Sequence, residues 1–227
     1  MPRMEGIVQN EPEWIIARVG CITASHVADV MAKPKRGTGE LARRSDYRTA
    51  LIVECLTGRA TEHYVTPAME HGLEFEPMAV AAYEMYAGVE AQDGGFWIHD
   101  TISRFAASPD RLIGEDGLLE AKCPTTATHI EWMLAGVVPE EHQWPMLAQM
   151  ACTGREWCDF VSYDDRLPPK MRLFLRRFLR DDERIALMEA EVLSFQEEIL
   201  STIARLNGTE DLTVQLVASV EAVRSAG

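Results

Sequence analysis

Asp110 and the run Glu120-Ala121-Lys122, with nine residues between them, constrain this chain more than any other feature. Between them lies Gly114-Glu115-Asp116-Gly117, a glycine and aspartate cluster of the kind that reverses a chain in a hairpin. The flanks, Arg111-Leu112-Ile113 and Leu118-Leu119-Glu120-Ala121-Lys122, are short and rich in strand-forming residues. Side chains alternate along a strand, so Glu120 and Lys122 share one face. Two carboxylates on a rigid strand edge make a hard-oxygen site. Such a site suits Mg²⁺, which takes one or two protein carboxylates, several waters and substrate phosphate oxygens. A neighbouring ammonium can orient or deprotonate a metal-bound water. The same residues also suit an ordinary hairpin with a surface ion pair worth under about 1 kcal/mol. The rest of the chain has to decide between the two.

With 227 residues, 47% of them hydrophobic, the chain predicts one domain over 1–227, its core at about 14–206 and a tail at 207–227. No apolar run reaches membrane-spanning length, and Met1-Pro2-Arg3-Met4-Glu5 lacks the apolar stretch of an export signal. The five cysteines (Cys21, Cys55, Cys123, Cys152 and Cys158) are odd in number and lack paired metal-ligand spacing. They read as buried thiols in a reducing cytoplasm, without a membrane partner.

A net charge of −14 excludes a general nucleic-acid coat protein but not a nuclease, because local charge decides where a phosphate backbone docks. Two windows oppose the overall sign. One holds Lys33, Lys35, Arg36, Arg43, Arg44 and Arg48; the other holds Arg166, Lys170, Arg172, Arg176, Arg177 and Arg180. Each suits either a phosphate-binding face or a solvated one.

Thr23-Ala24-Ser25 is an N-cap signal ahead of a short helix over 26–32. Helices are expected over 40–57, closed by Gly58, and from Pro67 to Gly88, with a break or kink at Pro77. Strands follow near 95–99, 105–107 and in the hairpin. Helices over 125–135 and 140–153 stop at Gly136 and Gly154, and strands return at 157–163 and 171–178. A long helix from Asp181 to about Leu206 carries one apolar stripe, Ile185, Met188, Val192, Phe195, Ile199 and Ile203. This order gives an α/β (α+β) fold, a central mixed β-sheet flanked by helices.

Several segments then fall in a telling order. They are Trp14-Ile15-Ile16-Ala17-Arg18-Val19-Gly20-Cys21-Ile22-Thr23-Ala24-Ser25, Gly72-Leu73-Glu74-Phe75-Glu76, Ser108-Pro109-Asp110, Glu120-Ala121-Lys122-Cys123-Pro124, Gln149-Met150-Ala151-Cys152-Thr153-Gly154 and Asp159-Phe160-Val161-Ser162-Tyr163-Asp164. The series resembles the lambda-exonuclease (YqaJ-type) viral recombinase nucleases, within the restriction-endonuclease-like PD-(D/E)xK group. The resemblance implies a restriction-endonuclease-like core and a processive 5′-to-3′ exonuclease on linear double-stranded DNA. It further implies Mg²⁺ as cofactor (two ions, with Mn²⁺ able to substitute) and a ring-shaped homotrimer. The exposed 3′ strand would pass to a single-strand annealing protein. The setting would be phage recombination in the cytoplasm of a bacterial host.

Carried onto this sequence, the resemblance makes Asp110, Glu120 and the backbone carbonyl of Ala121 metal ligands. Glu76 completes a second metal position, and Lys122 activates water in a neutral form favoured by the neighbouring cations. Arg18, Ser25 and Ser108 hold the terminal 5′-phosphate, with Ser25 at a helix N-terminus. Lys35 and Arg36 follow the duplex, and Met69 stands where the family places an apolar wedge. The family's further glutamine, one helical turn before Gln149, is replaced here by Pro145, which is expected to distort the start of its helix. Gln149 or Gln143 takes over its contact, Gln149 by preference. Two other readings remain: a structure-selective endonuclease on the same core, and a non-catalytic DNA-binding assembly protein.

Overall fold

The computed structural model describes residues 3–208, apart from positions 5, 8, 10, 35–38 and 62–65. Lys35 and Arg36, and the tail from 209 onward, lie outside the described residues. In chain order the elements are β1 (Arg3–Met4), α1 (Pro12–Arg18), β2 (Ile22–Thr23), a 3₁₀ turn (Ala24–His26) and α2 (Val27–Val30). Next come α3 (Ala42–Thr57), α4 (Pro67–Ala87), β3 (Ala91–Asp93), β4 (Phe96–Ile98), β5 (Phe105–Ala107), β6 (Arg111–Ile113) and β7 (Gly117–Lys122). The chain continues with α5 (Thr126–Ala135), α6 (Glu140–Thr153), β8 (Trp157–Tyr163), a 3₁₀ turn (Pro169–Met171), β9 (Leu173–Leu179) and α7 (Asp182–Asn207).

The strands form two mixed sheets rather than one, in the orders β1-β4-β5-β2 and β3-β6-β7-β8-β9. In the larger sheet β7 and β8 run parallel, so the chain must cross over between them, and α5 and α6 supply the crossover. One face of that sheet meets α4, where Ala79, Val80 and Tyr83 bury Leu119, Ala121 and Val161. The other face meets α6 and α7, which enclose Leu118, Cys158 and Phe160. All six apolar stripe residues of α7, from Ile185 to Ile203, are buried.

Neither internal proline breaks its helix: α4 is one helix through Pro77, and α6 runs through Pro145. A proline leaves the carbonyl four residues earlier without its partner. Those carbonyls belong to Leu73 and Glu141, both exposed, so water can satisfy them. The N-cap signal at Thr23-Ala24-Ser25 also yields less helix than expected. Thr23 ends a strand, Ser25 sits inside a 3₁₀ turn, and α2 is four residues long.

The two basic windows are largely consumed by internal contacts. Arg44 reaches Glu40 at 2.6 Å, Glu198 at 2.8 Å and Glu191 at 3.3 Å, while Arg48 holds Glu40 at 2.7 Å and Glu198 at 2.6 Å. These pairs join α3 to α7. In the second window Arg177 forks onto Asp159 at 2.8 Å through two nitrogens, and Arg166 reaches Asp164 at 2.6 Å. Arg176 donates to the carbonyl of Gly136, and Arg172 to that of Leu167.

Candidate active site

The β6–β7 hairpin forms where glycine and aspartate placed its turn, with Ile113 opposite Gly117 and Arg111 opposite Leu119. Asp110 stands one residue ahead of β6, and its Oδ2 accepts the Ala121 backbone N–H at 2.8 Å. This contact continues the hairpin ladder by one side-chain rung. The loop before it is seated against Gly94, where an added Cβ would lie 1.7 Å from the Pro109 carbonyl oxygen. Glu120 and Lys122 are in register with Phe160 and Ser162 of β8, on the face covered by α6. Lys122 Nζ lies 2.6 Å from Glu120 Oε1 and 3.9 Å from Asp110 Oδ2. From α6, Gln149 Nε2 donates to Glu120 Oε2 at 2.6 Å.

Two buried carboxylates thus share one ammonium. Burial pushes the Asp110 carboxyl up to about 7, and the charge of Glu120 adds to it. Burial acts on Glu120 in the same sense, but Lys122 and the Gln149 hydrogen bond overcome it and hold that carboxyl below its ordinary range. Burial opposes the charge of Lys122, yet attraction to Glu120 and then Asp110 raises its pKa well above the usual lysine value. These side chains by themselves favour its ammonium form.

The donor set has the chemistry of a divalent-cation site. Asp110 and Glu120 are both buried, and both open onto one cleft. In a strand the N–H and C=O of one residue point to the same edge. The Ala121 N–H turns to Asp110, so its carbonyl faces that side too. Two carboxylates and a carbonyl fit a hard cation that keeps several waters. Among the described residues no three His, Cys, Asp or Glu side chains converge as a metal cluster. Glu76, expected at a second metal position, lies on α4 across the sheet, ion-paired at 3.3 Å with Arg111, and its charge also acts on Asp110 and Lys122.

The cleft, about 190 Å³, also contains Arg18, Ser25 and Ser108 together with Asp110, Glu120, Lys122 and Gln149. The Arg18 guanidinium stacks 3.9 Å from the centre of the Trp14 ring, and burial lowers its pKa below the ordinary arginine value. Among the described residues it has no ion pair. Trp14 Nε1 donates to Ser108 Oγ at 2.7 Å, and Ser25 Oγ lies 3.2 Å from Thr23 Oγ1. Thr23, Gln9 and Pro145 join the lining without having been singled out as cleft residues. Thr23 stood inside the quoted motif, but its side chain was not distinguishable there from a helix cap. Gln143 is drawn elsewhere, donating to the Val138 carbonyl at 3.0 Å and accepting from Arg184 at 3.1 Å. Gln149 alone of the two reaches the carboxylates. Met69 is half exposed in the first turn of α4.

The family model for the YqaJ-like viral recombinase domain matches residues 13–156. A crystal structure of an alkaline exonuclease (LHK-Exo) from Laribacter hongkongensis is 46% identical, with a TM-score of 0.81, covering 87% of this chain and 96% of its own. The complex of LHK-Exo with dAMP matches at 46% identity and a TM-score of 0.80, covering 86% of this chain and 96% of its own. A phage-related exonuclease from Haemophilus somnus 129PT shares the fold at 14% identity and a TM-score of 0.63, over 82% of this chain and 96% of its own. No curated protein sequence matches.

Proposed function

The chain belongs to the YqaJ-like viral recombinase family and is a homologue of an alkaline exonuclease, and from this premise we propose a divalent-cation-dependent exonuclease that degrades linear duplex DNA from its 5′ ends. One observation carries the reading. A stacked arginine that has no carboxylate partner among the described residues shares a single cleft with two hydroxyl groups and the Asp110, Glu120 and Lys122 cluster.

Each side chain has a definite task in this reading. Asp110 and Glu120, with the Ala121 carbonyl, hold the cation, Mg²⁺ or Mn²⁺. When bound, that ion supplies Lewis-acid polarisation of the scissile phosphate and offsets its charge. The Ala121 N–H holds Asp110 in place, and Gln149 holds Glu120. Lys122 directs a water at the phosphorus while its ammonium offsets developing negative charge. Arg18 grips the terminal phosphate. Ser108 already accepts a hydrogen bond from Trp14, so its own hydroxyl hydrogen is free to point at a phosphate oxygen. The dAMP bound by LHK-Exo is a 5′-mononucleotide, the class of product such a reaction releases. Processive action by a ring-shaped homotrimer, with transfer of the 3′ strand to an annealing protein, completes the reading. A helix long and apolar enough to cross a membrane does not occur among the described residues.

The test compares linear and covalently closed duplex DNA, with and without Mg²⁺, at 5′-phosphate and 5′-hydroxyl ends. Linear DNA alone should be digested, only with the ion, and faster from 5′-phosphate. Arg18→Ala should lose the preference between ends. Cleavage of the closed circle would favour an endonuclease instead.

A further inference from the structure

We propose that the outer edge of β9 is a docking strip for an extended acidic segment of another protein, which joins the larger sheet as a further strand. None of the side chains along this strip lines the cleft of Asp110 and Glu120.

β9 ends the sheet and has seven residues, whereas β3 on the opposite edge has three. The bonds from the Asp164 N–H to the Arg172 carbonyl, and from the Arg180 N–H to the Glu156 carbonyl, fix which residues of β9 face β8. They are the even-numbered ones, because opposed residues in an antiparallel pair alternate between bonded and unbonded. The N–H and C=O groups of Leu173, Leu175, Arg177 and Leu179 therefore point away from the sheet. Among the described residues only the Leu175 carbonyl meets a donor there, Arg176 Nη1 at 2.7 Å. A groove of about 350 Å³ follows this edge. Leu173 and Leu175 reach it from the α4 face of β9, and Phe174 and Arg176 from the other. Lining by both faces places the groove over the strand's outer edge. Tyr86, exposed at the end of α4, and Lys170 flank it.

Charge selects the partner. Arg166, Arg177 and Arg180 are each paired with an aspartate. Lys170 and Arg176, in a chain of net charge −14, have no carboxylate partner among the described residues. Arg176 meets only the carbonyls of Gly136 and Leu175 and the Phe174 ring, which leave its charge uncompensated. Pairing β9 with its counterpart in a second copy would put the same cations side by side, which is unfavourable. An acidic strand is attracted instead. Its side chains would alternate, one set meeting Leu173, Leu175 and Tyr86, the other Arg176. The chemistry that fits is a run of acidic residues alternating with apolar ones.

The test uses the purified full chain and a short fluorescein-labelled peptide in which aspartates alternate with leucine and valine. Fluorescence anisotropy follows binding, and hydrogen exchange locates it. The peptide should bind and slow exchange of the Leu173, Leu175, Arg177 and Leu179 amides. A version methylated at every backbone nitrogen keeps its charges but cannot donate to the edge, and should bind about 10-fold more weakly. Lys170→Glu combined with Arg176→Glu should weaken the parent peptide by about 10-fold and favour a counterpart carrying lysine in place of aspartate. Exchange at β9 unchanged by the peptide, equal binding of the methylated version, or unchanged affinity in the charge-reversed variant would overturn the proposal. Stronger protection of the same amides by a single-stranded oligonucleotide would also overturn it, giving the edge to DNA. Protection in the chain alone that is lost on dilution would do so too, giving the edge to a second copy.

Discussion

Gly94→Ala should disable the site without touching any of its functional side chains. Gly94 lies between β3 and β4, and its φ is outside the left-handed region, so alanine suits the backbone there. The obstacle is contact alone. The new Cβ would stand 1.7 Å from the Pro109 carbonyl oxygen and 2.6 Å from its carbon, both backbone atoms. Real Cβ contacts almost never fall under 3.0 Å, so the segment must retreat by more than about 1 Å. That segment leads directly into Asp110, whose position rests on the 2.8 Å bond from the Ala121 N–H. Overpacking of this kind costs about 1–3 kcal/mol of stability. A displacement of ~1 Å at a reacting group costs about 10²-fold in rate. The assay measures nucleotide release from linear duplex at saturating cation, normalised to folded protein by thermal unfolding. Gly117→Ala is the control: its Cβ would meet the Trp157 ring at 2.2 Å, at the far end of β7 from Lys122. It should lose stability but retain its rate per folded molecule. If Gly94→Ala kept the wild-type rate per folded molecule, or fell no further than Gly117→Ala, the claim that this contact positions Asp110 would be wrong.

Gln149→Leu removes the 2.6 Å hydrogen bond to Glu120 while keeping the volume, and should weaken Mn²⁺ binding about 10–100-fold in a titration. Unchanged affinity would show that Gln149 does not support the ligand. Arg44→Ala removes one partner each from Glu191 and Glu198 on α7, which keep Lys33 and Arg48, and should cost about 1 kcal/mol in denaturant unfolding. DNA affinity should stay unchanged, since Arg44 is already engaged within the fold; weaker DNA binding would return that window to the phosphate-binding surface. Asp164 is buried, which opposes its charge, but the Arg166 side chain and backbone N–H hold its carboxyl down to about 2. A depressed carboxyl stabilises the fold above its unfolded pKa and loses that contribution as pH falls through the folded one. Asp164→Asn should therefore cost roughly 2 kcal/mol above about pH 4, with the gap to wild type closing toward about pH 2. A gap that does not change with pH would show that charge is not what Asp164 contributes.

Much of this protein follows from short-range pattern. The 3.6-residue period of Ile185, Met188, Val192, Phe195, Ile199 and Ile203 marks the buried side of α7. Gly58, Gly88, Gly136 and Gly154 end their helices in the left-handed conformation that glycine adopts without a steric cost. The Gly114 to Gly117 turn sets the register that puts Asp110 beside Ala121. These outcomes depend on residues a few positions apart, so the linear chain already contains their causes.

The fate of each charge does not follow in this way. Arg44 and Glu198 are 154 positions apart, and nothing local to Arg44 shows that α7 neutralises it while Arg18 stacks on a tryptophan. The pairing of Glu76 with Arg111 likewise follows from the face of the sheet on which α4 lies, not from anything near either residue in the chain. The division of the strands into two sheets, and the choice of Gln149 over Gln143 as the group touching Glu120, were decided in the same way. Electrostatic energy and hydrogen bonding depend on distance in space and on lost water, and both are set only once distant segments have packed.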